Sequence, residues 1–158
     1  DCSQYISFED VLDKFLLIIE EILKFDNVQI GRIGIRYING FPASEFEINS
    51  ISDWEKYFDS NLFAFSKFGG NQSNITNMVN SIEFSYPEFR VKFKSGFNNR
   101  NYPLIVTRPD FTIDCDGYSN AVVTSFEELK LIINSIHEEL EKIFEKSITD
   151  DMRNKLNG

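Results

Sequence analysis

Two carboxylates separated by a single residue, Asp114 and Asp116, are the nearest this chain comes to a catalytic pair. In a strand they share one face, with backbone positions about 6.6 Å apart, and oxygen ligands so placed can hold magnesium or calcium for hydrolysis. A site of that kind needs several converging ligands, and nearby basic runs offer the carboxylates counter-charges, so no metal or cofactor is assigned. His137, the only histidine, could serve as general base or phosphate contact. Its neighbours at helical spacing, Ile133, Ile136 and Leu140, make a half-buried ring with a satisfied nitrogen the plainer reading. The chain has no Ser-His-Asp elbow, phosphate-binding glycine loop or dinucleotide fingerprint. Cys115 alternates with Phe111 and Ile113 on an apolar strand face, the setting of an inert buried thiol. With Cys2 it makes neither a zinc knuckle nor a disulfide framework, which favours a reducing, cytoplasmic setting.

Ile30 to Asn39 is the stretch around which the chain is organised. Read with the period of a strand, it places Ile33, Ile35 and Tyr37 on one face and Arg32, Gly34 and Arg36 on the other. Gly34 leaves a notch between two arginines about 13 Å apart, a cradle for an anion or a carboxylate partner. The alternative is that both arginines pair with acids on neighbouring strands.

The chain has 158 residues, which suits one domain able to bury roughly two-thirds of its unfolded surface. Sixteen phenylalanines and one tryptophan make its interior rich in rings. A net charge of -9 opposes general binding to nucleic acid or to an anionic membrane, and no run is long and apolar enough to span one. The absence of an initiating methionine suggests an excised fragment or a processed product.

The elements that must position these residues follow from periodicity. Phe8, Val11, Leu12, Phe15, Ile18, Ile19 and Ile22 predict a first helix over 7–25, with Ser7 and Asp10 as a weak capping box. Asp26-Asn27 turns it into a strand over 28–39, closed by Gly40 and Pro42. Residues 41–80 are the least legible, with a short helix expected from an N-cap at Ser52 and a loop at 69–74. Phe63, Phe65 and Phe68, before that loop, are expected to roof the core; the alternative is a ligand lid or peptide groove. Ile82, Phe84 and Tyr86, then Phe89, Val91 and Phe93, make a hairpin about Pro87-Glu88, followed by a turn over 95–101. A last strand runs over 102–116, interrupted by Pro109, and 117–123 is a connector. Ser125 caps a second long helix, buried along Phe126, Leu129, Ile132, Ile133, Ile136, Leu140, Ile143 and Phe144, and Thr149 caps a final short one.

The plan is α+β: an antiparallel sheet of about four strands covered on one face by two long helices, in a single domain over 1–158. Charge segregates within it. Residues 1–25 hold six acids against two lysines, whereas 88–108 hold five cations against Glu88. The open sheet face should therefore gather Arg32, Arg36, Arg90, Lys92 and Lys94, with Glu83, Asp110, Asp114 and Asp116 as their potential partners. Such a face either neutralises itself or receives something, a protein partner or small anionic ligand being expected, and an open sheet face is also a frequent homodimer surface.

Ile33-Gly34-Ile35-Arg36-Tyr37-Ile38-Asn39, Ile113-Asp114-Cys115-Asp116 and His137…Phe144…Ile148-Thr149-Asp150 together resemble a sporadically distributed family of uncharacterised bacterial proteins. Its members share a Gly-Leu-Arg-Tyr-Ile-Asn-like strand and a C-terminal helix with histidine, Phe-Glu and an Ile-Thr-Asp-like end. Ile35 stands where that family usually has leucine. The resemblance implies bacterial origin, a chain that is the C-terminal part of a longer protein, and no assigned activity, and it points to Arg36, Asn39, Asp114, Asp116 and His137. The expected function is a non-enzymatic interaction or ligand-binding module using Arg32, Arg36, Asn39, Arg90, Lys92, Asp114, Asp116 and His137. The alternative is a metal-dependent enzyme acting on a nucleotide or phosphorylated small molecule.

Overall fold

The structure is a computed structural model that describes residues 7–25, 28–97, 99, 102–106, 109–123 and 125–157. Cys2, the turn at Asp26-Asn27, and Arg100 and Arg108 of the basic run lie outside the described residues. Helix α1 (Phe8–Leu23) starts at Ser7, whose hydroxyl accepts from the Asp10 amide at 3.2 Å. Four antiparallel strands follow: β1 (Ile33–Phe41), β2 (Met78–Ser85), β3 (Arg90–Phe97) and β4 (Phe111–Ser119). Between β1 and β2 come 3₁₀ turns and the short helix α2 (Ala64–Phe68), and the chain ends in α3 (Phe126–Ser147) and α4 (Asp150–Asn157).

The sheet order is β1-β4-β3-β2. The arginine-bearing strand around which the chain is organised is therefore an edge, and the strand carrying Asp114 and Asp116 lies between two basic ones. Opposite charges on neighbouring strands favour that arrangement. β4 also runs later than expected, from Phe111 to Ser119, so the supposed connector residues Gly117, Tyr118 and Ser119 belong to it. Pro109 sits before the strand, where it removes no ladder bond. β3 likewise continues through Ser95 and Gly96 to Phe97, residues expected in a turn.

One face of the sheet is buried: Phe111, Ile113 and Cys115 of β4, Val91, Phe93 and Phe97 of β3, and Ile33 and Phe41 of β1. Helix α3 lies across it, touching β4, β1 and β3, with Leu129, Ile132, Ile133, Ile136 and Leu140 inward. Helix α1 leans on α3 and buries Leu12 and Leu16. Burial pushes the Cys115 thiol up to about 12, as expected of an inert group.

Residues 41–63 contribute much more than a roof. Phe46, Trp54, Phe58 and Phe63 join Phe41, Phe97 and Phe111 in one aromatic cluster with centroids about 5 to 6 Å apart, the edge and offset geometry that rings prefer. The expected short helix is a 3₁₀ helix, Ile51–Lys56, capped by Ser50 rather than Ser52. Asp53 accepts from the Ser50 and Asn49 amides at 2.8 and 2.9 Å, and the helix, starting two residues earlier, buries Ile51 and Trp54. Phe63 is buried, whereas Phe65 and Phe68 are 76% and 92% exposed. The C-terminal segment closes this side: Phe58 bridges Ile148, and Thr149 donates to the Lys56 carbonyl at 2.7 Å. Among the described residues no helix is long and apolar enough to cross a membrane.

Candidate binding face

Because successive strand side chains alternate, the residues opposite in parity to the buried set form the second face of the sheet. Its rows are Gly34, Arg36 and Ile38 on β1, Thr112, Asp114, Asp116 and Tyr118 on β4, Arg90, Lys92, Lys94 and Gly96 on β3, and Val79, Ser81, Glu83 and Ser85 on β2. Arg36 stands opposite Asp116, which in turn stands opposite Lys92; Lys94 stands opposite Asp114, and Arg90 opposite Tyr118. The expected gathering of Arg32, Arg36, Arg90 and Lys92 with Asp114 and Asp116 is therefore present, on the side away from α3.

Part of this face neutralises itself. Arg36 Nε and Nη2 each donate to Asp114 at 2.8 Å, a bidentate pair reaching diagonally across the register. The Arg90 guanidinium lies 3.6 Å from Glu83, which also accepts from the Tyr118 hydroxyl at 3.1 Å. The notch at Gly34 is filled rather than open: Tyr118 lies opposite it, and the Arg32 guanidinium sits 5.0 Å from the centre of the Tyr118 ring. The two arginines thus do not cradle an anion between them.

What remains is Lys92 and Lys94. Among the described residues neither makes an ion pair within 4.0 Å, and the Asp114 carboxylate opposite Lys94 is taken by Arg36. Lys94 also lines a hollow of about 380 Å³ with Asn77, Val79, Gly96, Tyr102, Thr112 and Asp114. Tyr118 and this hollow escaped the sequence reading, although extending the 112, 114, 116 alternation by one step would have found Tyr118.

The Arg36 guanidinium holds the Asp114 carboxyl below the usual carboxylate range, with Lys94 and Lys92 adding to the effect. A depressed folded pKa stabilises the fold above the unfolded value, near 3.9, and that contribution is lost as pH falls through the folded value. Wild-type protein is therefore expected to lose stability below about pH 4 in a step that Asp114→Asn lacks. Urea titrations across that range check this, and equal acid slopes for the two proteins would refute it.

Asn39 and His137 lie elsewhere. Asn39 has the parity of the helix-facing row, opposite Ile113, and His137 projects from α3 on the same side. His137 Nδ1 is 3.0 Å from the Tyr37 hydroxyl, Nε2 is 3.4 Å from Glu141, and the ring stacks on Phe8 at 3.6 Å. The sheet separates this group from Arg32, Arg36 and the lysines, so the expected eight residues divide into a charged face of six and a helix-side pair. Tyr37 and His137 line a cleft of about 810 Å³ between α1, α3 and β1. Among the described residues no three histidine, cysteine or acidic groups converge as metal ligands.

No family model, curated protein or solved structure matches the chain.

Proposed function

We propose that this chain is a non-enzymatic binding domain that takes an anionic partner or ligand on the open sheet face. The observation that carries the reading is the pair Lys92 and Lys94, adjacent on one face and without ion partners within 4.0 Å among the described residues, with Lys94 at the edge of a hollow that Gly96 and Thr112 help to form. Five cations against three acids leave the face positive on a molecule whose net charge is -9. Rigid strands fix the backbone beneath those cations, so ordering on binding is confined to the side chains themselves. The Asp114 and Asp116 pair supports metal hydrolysis less well, because Asp114 is committed to Arg36.

A molecule so acidic should pass through a polyanion column unless a local cationic face holds it. Retention on immobilised heparin at low salt is expected, with elution as salt screens the contact over about 8 to 10 Å. Lys92→Glu/Lys94→Glu should flow through, having lost at least about tenfold in affinity, or about 1.4 kcal/mol. Wild-type flow-through, or retention unchanged in the double variant, would overturn the reading.

A further inference from the structure

The hollow beside Lys94 owes its shape to the register of the sheet. Val79, Gly96, Thr112 and Gly40 stand opposite one another in one row across the four strands, so glycine alternates with side chains along it. In the next row Ser81, Lys94, Asp114 and Ile38 all carry side chains. The missing side chain at Gly96 therefore leaves a trough between Val79 and Thr112, with Lys94 at its end.

A fixed loop supplies one wall. Asn99 Nδ2 donates to the Thr76 and Leu104 carbonyls at 2.7 Å each, and the Val106 amide donates to the Ile75 carbonyl at 3.0 Å. These bonds tie the segment around Tyr102 to the entry of β2. Tyr102 lines the hollow yet is 67% exposed. An exposed ring that shares a trough with Val79 and bare glycine backbone offers flat apolar surface to a guest.

The charge in the trough is single. Lys94 has no ion partner within 4.0 Å among the described residues, whereas both Asp114 oxygens accept from Arg36. A carboxylate neutralised in that way repels an incoming anion far less than a bare one. Lys92 does not line the hollow, so one ammonium beside one neutralised acid suits a monoanion better than a phosphate dianion. Thr112 and Asn77 add a hydroxyl and an amide as hydrogen-bond donors. An inorganic ion would leave the apolar surfaces wet, and an uncharged ring would leave the lysine unused.

We propose that the hollow takes a small aromatic carboxylic acid, its ring against Tyr102, Val79 and the Gly96 backbone and its carboxylate at Lys94. This rests on the reading of the open face as anion-binding and names a ligand class for it. A volume of about 380 Å³ lies at the small end of ligand sites, with room for one ring or two fused ones.

Amide chemical-shift titration with 2-naphthoate tests this, beside cyclohexanecarboxylate, which lacks the aromatic ring, and 2-naphthalenemethanol, which lacks the charge. Saturable shifts at Lys94, Gly96, Tyr102 and Thr112 are expected, with a Kd below about 1 mM and either comparator at least about tenfold weaker. Tyr102→Ser should weaken naphthoate about fivefold and narrow its advantage over cyclohexanecarboxylate. Lys94→Gln should narrow its advantage over the alcohol. Circular dichroism checks that both variants fold. Shifts that do not saturate or that centre on Tyr37 and His137, a comparator that binds equally, or tighter binding of 2-naphthyl phosphate would each overturn the proposal. Heparin retention separates the two levels of the argument: retention without naphthoate binding overturns the ligand class alone, whereas wild-type flow-through overturns both.

Discussion

Trp54→Ala is expected to lower folding stability by about 4 kcal/mol and the Tm by roughly 12 °C, on the cost typical of a buried tryptophan in a chain of this size. The indole has no exposed surface and lies at the centre of the ring cluster, with Phe46, Phe58 and Phe111 at 5.2, 5.6 and 5.9 Å between centroids. Its Nε1 donates to the Pro109 carbonyl at 2.6 Å, so alanine also leaves that acceptor unpaired inside the fold. That bond ties the 3₁₀ segment to the entry of β4, the strand holding Asp114 and Asp116. Trp54→Phe retains most of the ring contact and should cost only about 1 to 2 kcal/mol, the scale of the missing hydrogen bond. Denaturant unfolding measures both, and a loss under about 1 kcal/mol for alanine would contradict the assigned role of the cluster.

Gly96→Ala is expected to affect stability and binding together. A Cβ at Gly96 would fall 2.1 Å from the Met78 carbonyl oxygen and 3.0 Å from its carbon, so β2 itself must move away from β3. Overpacking of that kind costs about 1 to 3 kcal/mol, and the hollow beside Lys94 is rebuilt at the same time. Gly117 offers the control. A Cβ there would approach the Ile136 Cγ2 methyl at 2.4 Å, on the helix side of the sheet and away from the hollow. Gly117→Ala should therefore disturb the packing of α3, whose buried Ile136 cannot change rotamer freely, and leave heparin retention of the folded protein unchanged. Full retention by Gly96→Ala, or loss of retention by Gly117→Ala, would show that the close contact at β3 is not what shapes the hollow.

The periodic elements were legible from sequence because their burial is one-sided. Helix α3 shows this best: the stripe from Leu129 to Leu140 is the one that faces the sheet, and Ser125 caps the helix by accepting from the Glu128 amide. The parity of β1 was equally plain, and Arg36 points to the open face as its alternation required. Strand order was not legible, because parity says which way a side chain points and nothing about its neighbour. Only the coordinates show that Asp114 neutralises Arg36 and that Tyr118 fills the space at Gly34. The segment over 41–63 was opaque for another reason. It buries large rings from 3₁₀ turns, which lack a long repeating period, and so Trp54 and Phe58 leave no pattern that a helix or strand template detects. His137 entered the candidate set through the family resemblance, although its neighbours at helical spacing favoured a half-buried ring, and its position on α3 puts the sheet between it and the arginines.

The central claim is that the uncommitted lysines of the open face, rather than the helix-side cleft, receive an anion. Backbone amide chemical-shift mapping during titration with a short polyglutamate peptide addresses it most directly. The account predicts saturable shifts clustered at Lys92, Lys94, Gly96 and Thr112 that salt reverses. Shifts centred on Tyr37 and His137, or none at all, would contradict it.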